Sequence, residues 1–306
     1  MVKLDIITGF LGAGKTTLIN KLLAEGLASD NPVLIENEFG DVAIDKDLIS
    51  SDIEVKLLSS GCICCSMKGD FIKGITTVIE KYSPNRIIIE PTGLADLGDV
   101  IAACQEAGQT VPLEINSVIT VISTENFQPL MMVGGEFFRK QVTQARFAIM
   151  SCVQLHTPEE VDEVVAEFRK YNPDCPRLVE DWSTLDALYI MACAEEAHAA
   201  FTGEIVPTEK EHGHTADSFT SMPVFPMRRY NEQALDELIA AFSDEKYGQI
   251  FRAKGFLKME DGSFNLVEYV YGKGTQRPCS HDGFTKFIVI GRDLNEAEIN
   301  KLFMEV

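Results

Sequence analysis

Three groups of residues in this chain have the types and spacing to do chemistry. The first is Gly9-Phe10-Leu11-Gly12-Ala13-Gly14-Lys15-Thr16. It fits G-x-x-x-x-G-K-[ST], the spacing of a phosphate-binding loop. Gly9, Gly12 and Gly14 let the backbone turn tightly and bring its N–H groups close to phosphate oxygens. Lys15 places a cation against the β- and γ-phosphates, and the Thr16 hydroxyl suits Mg²⁺. The expected nucleotide-binding set in this stretch is Gly9, Gly12, Ala13, Gly14, Lys15, Thr16 and Thr17.

The second group is Cys62-Ile63-Cys64-Cys65. Three thiols within four positions cannot be separated in space, and thiolates at this density suit Zn²⁺, Cu(I) or Co²⁺. Redox-active or inert thiols are the alternative reading. The third group is acidic. Glu90 ends a strongly apolar run and stands three residues before Gly93. That arrangement lets the acid hold Mg²⁺, directly or through water, and lets the Gly93 N–H sense a γ-phosphate. Lys15 and Glu90 are therefore the candidate catalytic residues. Glu38 and Asp45, in Glu36-Asn37-Glu38-Phe39-Gly40-Asp41-Val42-Ala43-Ile44-Asp45, are candidate helpers at the same ion. His212 and His214 read as a solvated linker rather than as ligands, and Cys104, Cys152, Cys175, Cys193 and Cys279 as scattered core or surface thiols.

The elements that must position these groups are legible in order. Leu4 to Thr8 is a buried strand feeding the glycine loop, and the helix beginning near Thr17 turns its N-terminal dipole toward the anion. Short apolar strands are predicted at 32–35, 54–58, 86–89, 114–122 and 147–150, and helices at 70–82, 97–107, 137–144 and from Thr157 to about Tyr171. Thr157 with Pro158 and Glu160 has the pattern of a capped helix start. Alternating strands and helices predict a mostly parallel sheet covered on both faces. Composition shifts between about Thr202 and Ser221. Beyond it the pattern reads as a strand at 223–227, a helix from Asn231 to Phe242, strands at 250–259, 264–271 and 287–291, and a last helix capped by Asn295. The expected fold is α/β, a three-layer P-loop NTPase domain over residues 1–201, a linker at 202–221, and a small C-terminal α+β domain at 222–306.

The chain has 306 residues and a net charge of −20, which disfavours a basic surface for nucleic acid. No apolar run reaches membrane-spanning length, and a strand begins directly after Met1. A cytoplasmic protein without a secretory signal is expected, with no membrane and no nucleic-acid partner.

Taken together, GFLGAGKTTLINKLL, IENEFGDVAID, LSSGCICC, IIIEPTGLAD, FRAKGF and IGRDL resemble the CobW-type metallochaperone GTPases, relatives of the nickel-inserting accessory GTPases of urease and hydrogenase. The resemblance spans nearly the whole chain. It implies a GTPase domain with a CobW-like C-terminal domain. It also implies a transition-metal site for Zn²⁺, Co²⁺ or another ion at Cys62, Cys64 and Cys65, coupled to nucleotide state. The implied partners are the triphosphate, the metal and a client metalloprotein or cofactor-synthesis enzyme, and the resemblance admits a homodimer. One departure bears on the base. The family reads guanine with N-K-x-D, where this chain has Ser151-Cys152-Val153-Gln154. Gln154 replaces the acid and presents one donor and one acceptor, which suits an adenine edge and leaves GTP and ATP both open as substrates. A nucleotide-binding metal or redox sensor without turnover, and a cofactor-assembly ATPase, fit the same residues. Turnover with and without metal separates the first, and elemental analysis of anaerobically purified protein addresses the second.

Overall fold

Runs of aliphatic residues such as Arg86-Ile87-Ile88-Ile89 bury both faces of an extended chain, which is the pattern of a strand inside a parallel sheet. A computed structural model describes residues 1–36, 54–57, 68–93, 95–203, 219–281 and 283–305, and these runs become its central strands. The elements in order are β1 (Val2–Gly9), α1 (Lys15–Leu22), β2 (Pro32–Glu36), β3 (Glu54–Leu57), α2 (Lys68–Tyr82), β4 (Arg86–Glu90), α3 (Leu97–Gly108) and β5 (Leu113–Ser123). Then come α4 (Phe127–Val133), α5 (Gly135–Thr143), β6 (Phe147–Ser151), α6 (Pro158–Tyr171), β7 (Arg177–Leu178) and α7 (Ala187–Ala200). The seven strands form one sheet in the order β3-β2-β4-β1-β5-β6-β7, and every pairing is parallel.

Period-two alternation divides the sheet's side chains between two helical layers. Val33, Ile35, Ile87 and Ile89 pack with Phe71, Ile75 and Val78 of α2 and Val100 and Ile101 of α3. Leu34 and Ile88, one residue out of phase, pack with Leu18 and Leu22 of α1 and Ile190 and Ala194 of α7. Helix α6 starts as its sequence predicts, with the Thr157 side chain accepting from the Glu160 N–H and the Glu160 side chain returning to the Thr157 N–H.

Across its central strands β4, β1 and β5, the sheet holds a buried polar cluster. Asp5 on β1 is fully buried and pairs with the Arg86 guanidinium, while Ser117 Oγ donates to Asp5 at 2.6 Å. Burial alone would lower the Arg86 pKa, but Asp5 and Asp30 outweigh it and raise it. His198 of α7 lies near this cluster, with its Nδ1 buried and lacking a hydrogen-bond partner among the described residues. Burial, reinforced by the Arg146 charge, holds its pKa below the ordinary value. The folded state therefore binds the proton less readily than the unfolded chain does. His198 thus costs stability as pH falls below about 6.5, and the loss levels off once pH is below the folded pKa. Urea midpoints measured from neutral to mildly acidic pH should fall more steeply in the parent than in His198→Gln. Identical slopes would show that His198 is not the group responsible.

The residues from Phe219 onward form a second compact unit. Its elements are β8 (Thr220–Val224), α8 (Glu232–Ala241), β9 (Gln249–Lys258), β10 (Phe264–Val270), β11 (Lys273–Cys279), β12 (Lys286–Arg292) and α9 (Glu296–Glu305). The strands form an antiparallel sheet in the order β11-β10-β9-β12-β8. Leu235 and Leu238 of α8, Phe242 just after it, and Ile299, Leu302 and Phe303 of α9 pack on one face, against Ala253, Leu257, Val267, Phe287 and Val289. Two sequence expectations change here. The first strand lies at Thr220–Val224 rather than 223–227, because its ladder with β12 ends at Val224. A further strand, β11, follows β10. In the first unit, α4, β7 and α7 were not anticipated either.

Candidate nucleotide and metal site

The glycine loop joins the buried end of β1 to the start of α1. Gly9 has φ +146°, and a Cβ there would stand 2.3 Å from the Val121 carbonyl oxygen on β5, so no larger residue fits. Gly14 precedes α1 in the left-handed region, at φ +100°, and no side chain caps the helix. The first N–H groups of α1 are thus left to an external acceptor, which is the requirement for anion binding at a helix N-terminus. The loop is braced from β6, where Ser151 Oγ donates to the Ala13 carbonyl at 2.6 Å.

Lys15 is 5% exposed. Its ammonium donates to the Phe10 carbonyl at 3.3 Å and lies 4.0 Å from Glu90 Oε1. The Thr16 hydroxyl donates to Glu90 Oε1 at 3.0 Å, with Oε2 at 3.2 Å. With its proton committed to the carboxylate, the hydroxyl oxygen keeps its lone pairs for a cation. Gly12 on the loop and Thr17 in the first turn of α1 are exposed, and Ala13 is buried. Beyond β4, Gly93 abuts the loop. A Cβ there would meet Leu11 N at 2.7 Å and Phe10 C at 3.0 Å. Its carbonyl accepts from Gln141 Nε2 at 2.7 Å, which ties the segment after Glu90 to α5. Asp96 caps α3 just downstream and pairs with Lys140 at 3.4 Å.

Glu36, the first carboxylate of the acidic stretch that runs to Asp45, is not singled out by the sequence as Glu38 and Asp45 are. It closes β2, is buried, and is the register partner of Glu90. Both carboxylates therefore leave the sheet on the same face at its carboxyl edge. The available signal was the one used for Glu90, an acid ending an aliphatic strand. Glu38, Asp45, Cys62, Cys64, Cys65, His212 and His214 lie outside the described residues. Among the described residues no group of three or more His, Cys, Asp or Glu side chains is placed to hold a metal ion. Burial pushes the thiols of Cys104 and Cys175 up, the latter to about 11, so both stay protonated at neutral pH. No described helix is long and apolar enough to cross a membrane.

Gln154 sits just past β6, exposed in the short turn Val153–Leu155. Cys152 precedes it with φ +63°. Its thiol pKa is raised, first by burial and also by the Glu125 charge, while Ser123 and Ser151 act the other way. The turn is thus next to the strand end whose Ser151 braces the phosphate loop.

Comparison with known proteins places the same features in a wider set. Residues 3–178 match the family model described as CobW/HypB/UreG, nucleotide-binding domain. Residues 219–306 match the model of the cobalamin synthesis protein cobW C-terminal domain. The zinc-regulated GTPase metalloprotein activator 1 of Saccharomyces cerevisiae is 35% identical over 359 aligned positions, covering 98% of this chain and 82% of its own. The zinc chaperone CobW of Sinorhizobium sp is 38% identical over 127 residues, which cover 39% of this chain and only 36% of that protein. Among solved structures, the Zn(II)-bound YjiA GTPase from Escherichia coli aligns with a TM-score of 0.49 at 20% identity, covering 99% of this chain and 98% of its own.

Proposed function

The chain belongs to the CobW/HypB/UreG family of nucleotide-binding proteins, and on that premise we propose that it is a nucleotide-dependent metallochaperone that hydrolyses a nucleoside triphosphate. The observation that carries this reading is the convergence of Lys15, Thr16 and Glu90 beneath the glycine loop, with the N-terminus of α1 uncapped. Lys15 meets the β- and γ-phosphates, and the loop N–H groups from Gly12 to Thr17 cradle the remaining oxygens. Thr16, Glu90 and Glu36 supply oxygen donors only, the set that fits Mg²⁺, and Glu38 or Asp45 assists. When bound, the ion would supply charge neutralisation to the triphosphate. Glu90 accepts the Thr16 hydroxyl hydrogen bond and so fixes that hydroxyl in place. Gly93, held against Phe10 and Leu11, offers its N–H to the γ-phosphate.

The cargo is a thiophilic divalent ion held by Cys62, Cys64 and Cys65. Proteins similar to this chain bear the name zinc chaperone, which favours Zn²⁺, with Co²⁺ as its spectroscopic substitute. Contact between the γ-phosphate and the segment after Glu90 couples hydrolysis to metal release.

Metal titration with a non-hydrolysable GTP analogue, then with GDP, tests the coupling. Tighter binding in the triphosphate state is expected, and equal affinities would overturn it. The thiolate site has its own check. Thiols must ionise to ligate, so binding of Co²⁺ should release protons and weaken as pH falls. Its thiolate charge-transfer absorption should vanish in Cys64→Ser, Cys65→Ser. If the band survives in that double variant, the ligands lie elsewhere.

A further inference from the structure

Gln141 of α5 is a polar side chain buried to within 1% of complete. Its Nε2 donates to the Gly93 carbonyl at 2.7 Å. Its Oε1 is also buried and has no hydrogen-bond partner among the described residues. An orphaned amide oxygen costs at least as much free energy as the bond at the other end of the amide contributes. The fold therefore gains little stability from a glutamine here. An apolar side chain of the same length would fill the space without orphaning an oxygen. What the glutamine supplies is the orientation of one peptide group.

That peptide lies in a turn. The Ala95 N–H donates to the Thr92 carbonyl at 2.9 Å, so the Gly93 carbonyl belongs to the middle peptide of the turn. Turns of types I and II differ mainly by rotation of that middle peptide. The Gln141 bond fixes its direction, and with it the set of the turn against the glycine loop, where a Cβ on Gly93 would stand 2.7 Å from Leu11 N. Helix α5 is suited to act as the reference. Lys140, the preceding residue, pairs with Asp96 at 3.4 Å, and Asp96 caps α3 by accepting from the Gly98 N–H. Consecutive residues of α5 thus hold both ends of the stretch from Gly93 to Asp96. Phe138, one turn before Gln141, meets the Phe10 ring edge-on with centroids 5.4 Å apart. One helix therefore contacts the phosphate loop and the segment after Glu90 together.

We propose that Gln141 is a positioning residue for triphosphate recognition and hydrolysis. It holds Gly93 so that the Gly93 N–H meets the γ-phosphate, and so sets how well the protein tells triphosphate from diphosphate. The inference rests on the role given to Gly93 in the function proposed above. Gln141 acts through Gly93 and not on the nucleotide. Its loss therefore spares the β-phosphate contacts of Lys15 and the loop N–H groups, which a diphosphate shares.

The test uses the full chain with Gln141→Met and Gln141→Leu, which remove the donor and keep apolar bulk. Each exchanges one orphaned acceptor, Oε1, for another, the Gly93 carbonyl, so urea midpoints should stay near the parent's. GDP affinity should also be unchanged. Affinity for a non-hydrolysable GTP analogue should fall by about tenfold or more, as loss of one hydrogen bond to a charged oxygen predicts. The kcat at saturating GTP should fall with it. A parental ratio of triphosphate to diphosphate affinity, or a parental kcat, in a folded variant would overturn the inference. So would a GDP affinity that falls in step with the triphosphate affinity, or failure of both variants to fold, since either makes Gln141 a part of the scaffold only. The parent is the control for the underlying reading. A parent that binds GDP and the triphosphate analogue alike would remove the γ-phosphate contact at Gly93, and the inference with it. A discriminating parent with equally discriminating variants would remove the inference alone.

Discussion

Lys15→Ala abolishes tight triphosphate binding, weakening it by about 30-fold or more, while the protein stays folded. The expectation follows from where the ammonium sits. It is almost wholly buried, it is 4.0 Å from Glu90 Oε1, and no second cation belongs to the loop. Truncating one member of a buried charge pair costs about 2–5 kcal/mol, or roughly 30- to 5,000-fold in affinity. Here the loss counts twice, because a Glu90 carboxylate without Lys15 beside it repels the phosphates. Mg²⁺ offsets part of that, so the deficit should widen when the ion is chelated. Titration with a fluorescent GTP analogue, alongside a urea melt of the free protein, reads both effects. Parental affinity in a folded Lys15→Ala protein would place the triphosphate somewhere else.

The contrast between Lys15 and Glu36 shows what could be read from the chain and what could not. Lys15 and Thr16 announce themselves because their chemistry is local, fixed by glycines a few residues away. Glu90 is nearly as legible, since Gly93 follows it. Glu36 carries no such neighbour, and only the register with β4 brings it beside Glu90. The helical layers were read where apolar and polar residues alternate around the helix, as in α2. They were missed in α7, where alanines dilute the contrast between faces, although Ala187, Ile190, Met191 and Ala194 bury one side of it. Strand β11 was missed for the opposite reason. Lys273 to Cys279 is a polar strand that among the described residues pairs with β10 alone, and it lacks the hydrophobic alternation that marks a half-buried one. Phe225 and Met227 misled in turn, because an apolar run reads as a buried strand even where its side chains face solvent.

Base selectivity, where Gln154 stands in place of the family's acid, carries the second large prediction. Guanine presents two donors on one edge, N1–H and the exocyclic N2–H₂, and a carboxylate accepts from both. Gln154 stands where that acid is expected, and its amide accepts from only one. Losing a charge-assisted pair of this kind costs on the order of 2–4 kcal/mol, or roughly 30- to 1,000-fold in affinity. The phosphate contacts do not involve the base, and Ser151 still braces the loop at Ala13. Triphosphate binding should therefore persist while the preference for GTP over ATP shrinks or reverses. Gln154→Asp should move selectivity toward GTP, and Cys152→Lys should add to it. A lysine at 152 has room for its charge, because Glu125 already faces the Cys152 thiol and raises its pKa. Competitive titration of the parent and the double variant with GTP and ATP decides the matter. A parent preference for GTP already near a thousandfold, about 4 kcal/mol, would mean that another group reads the guanine edge.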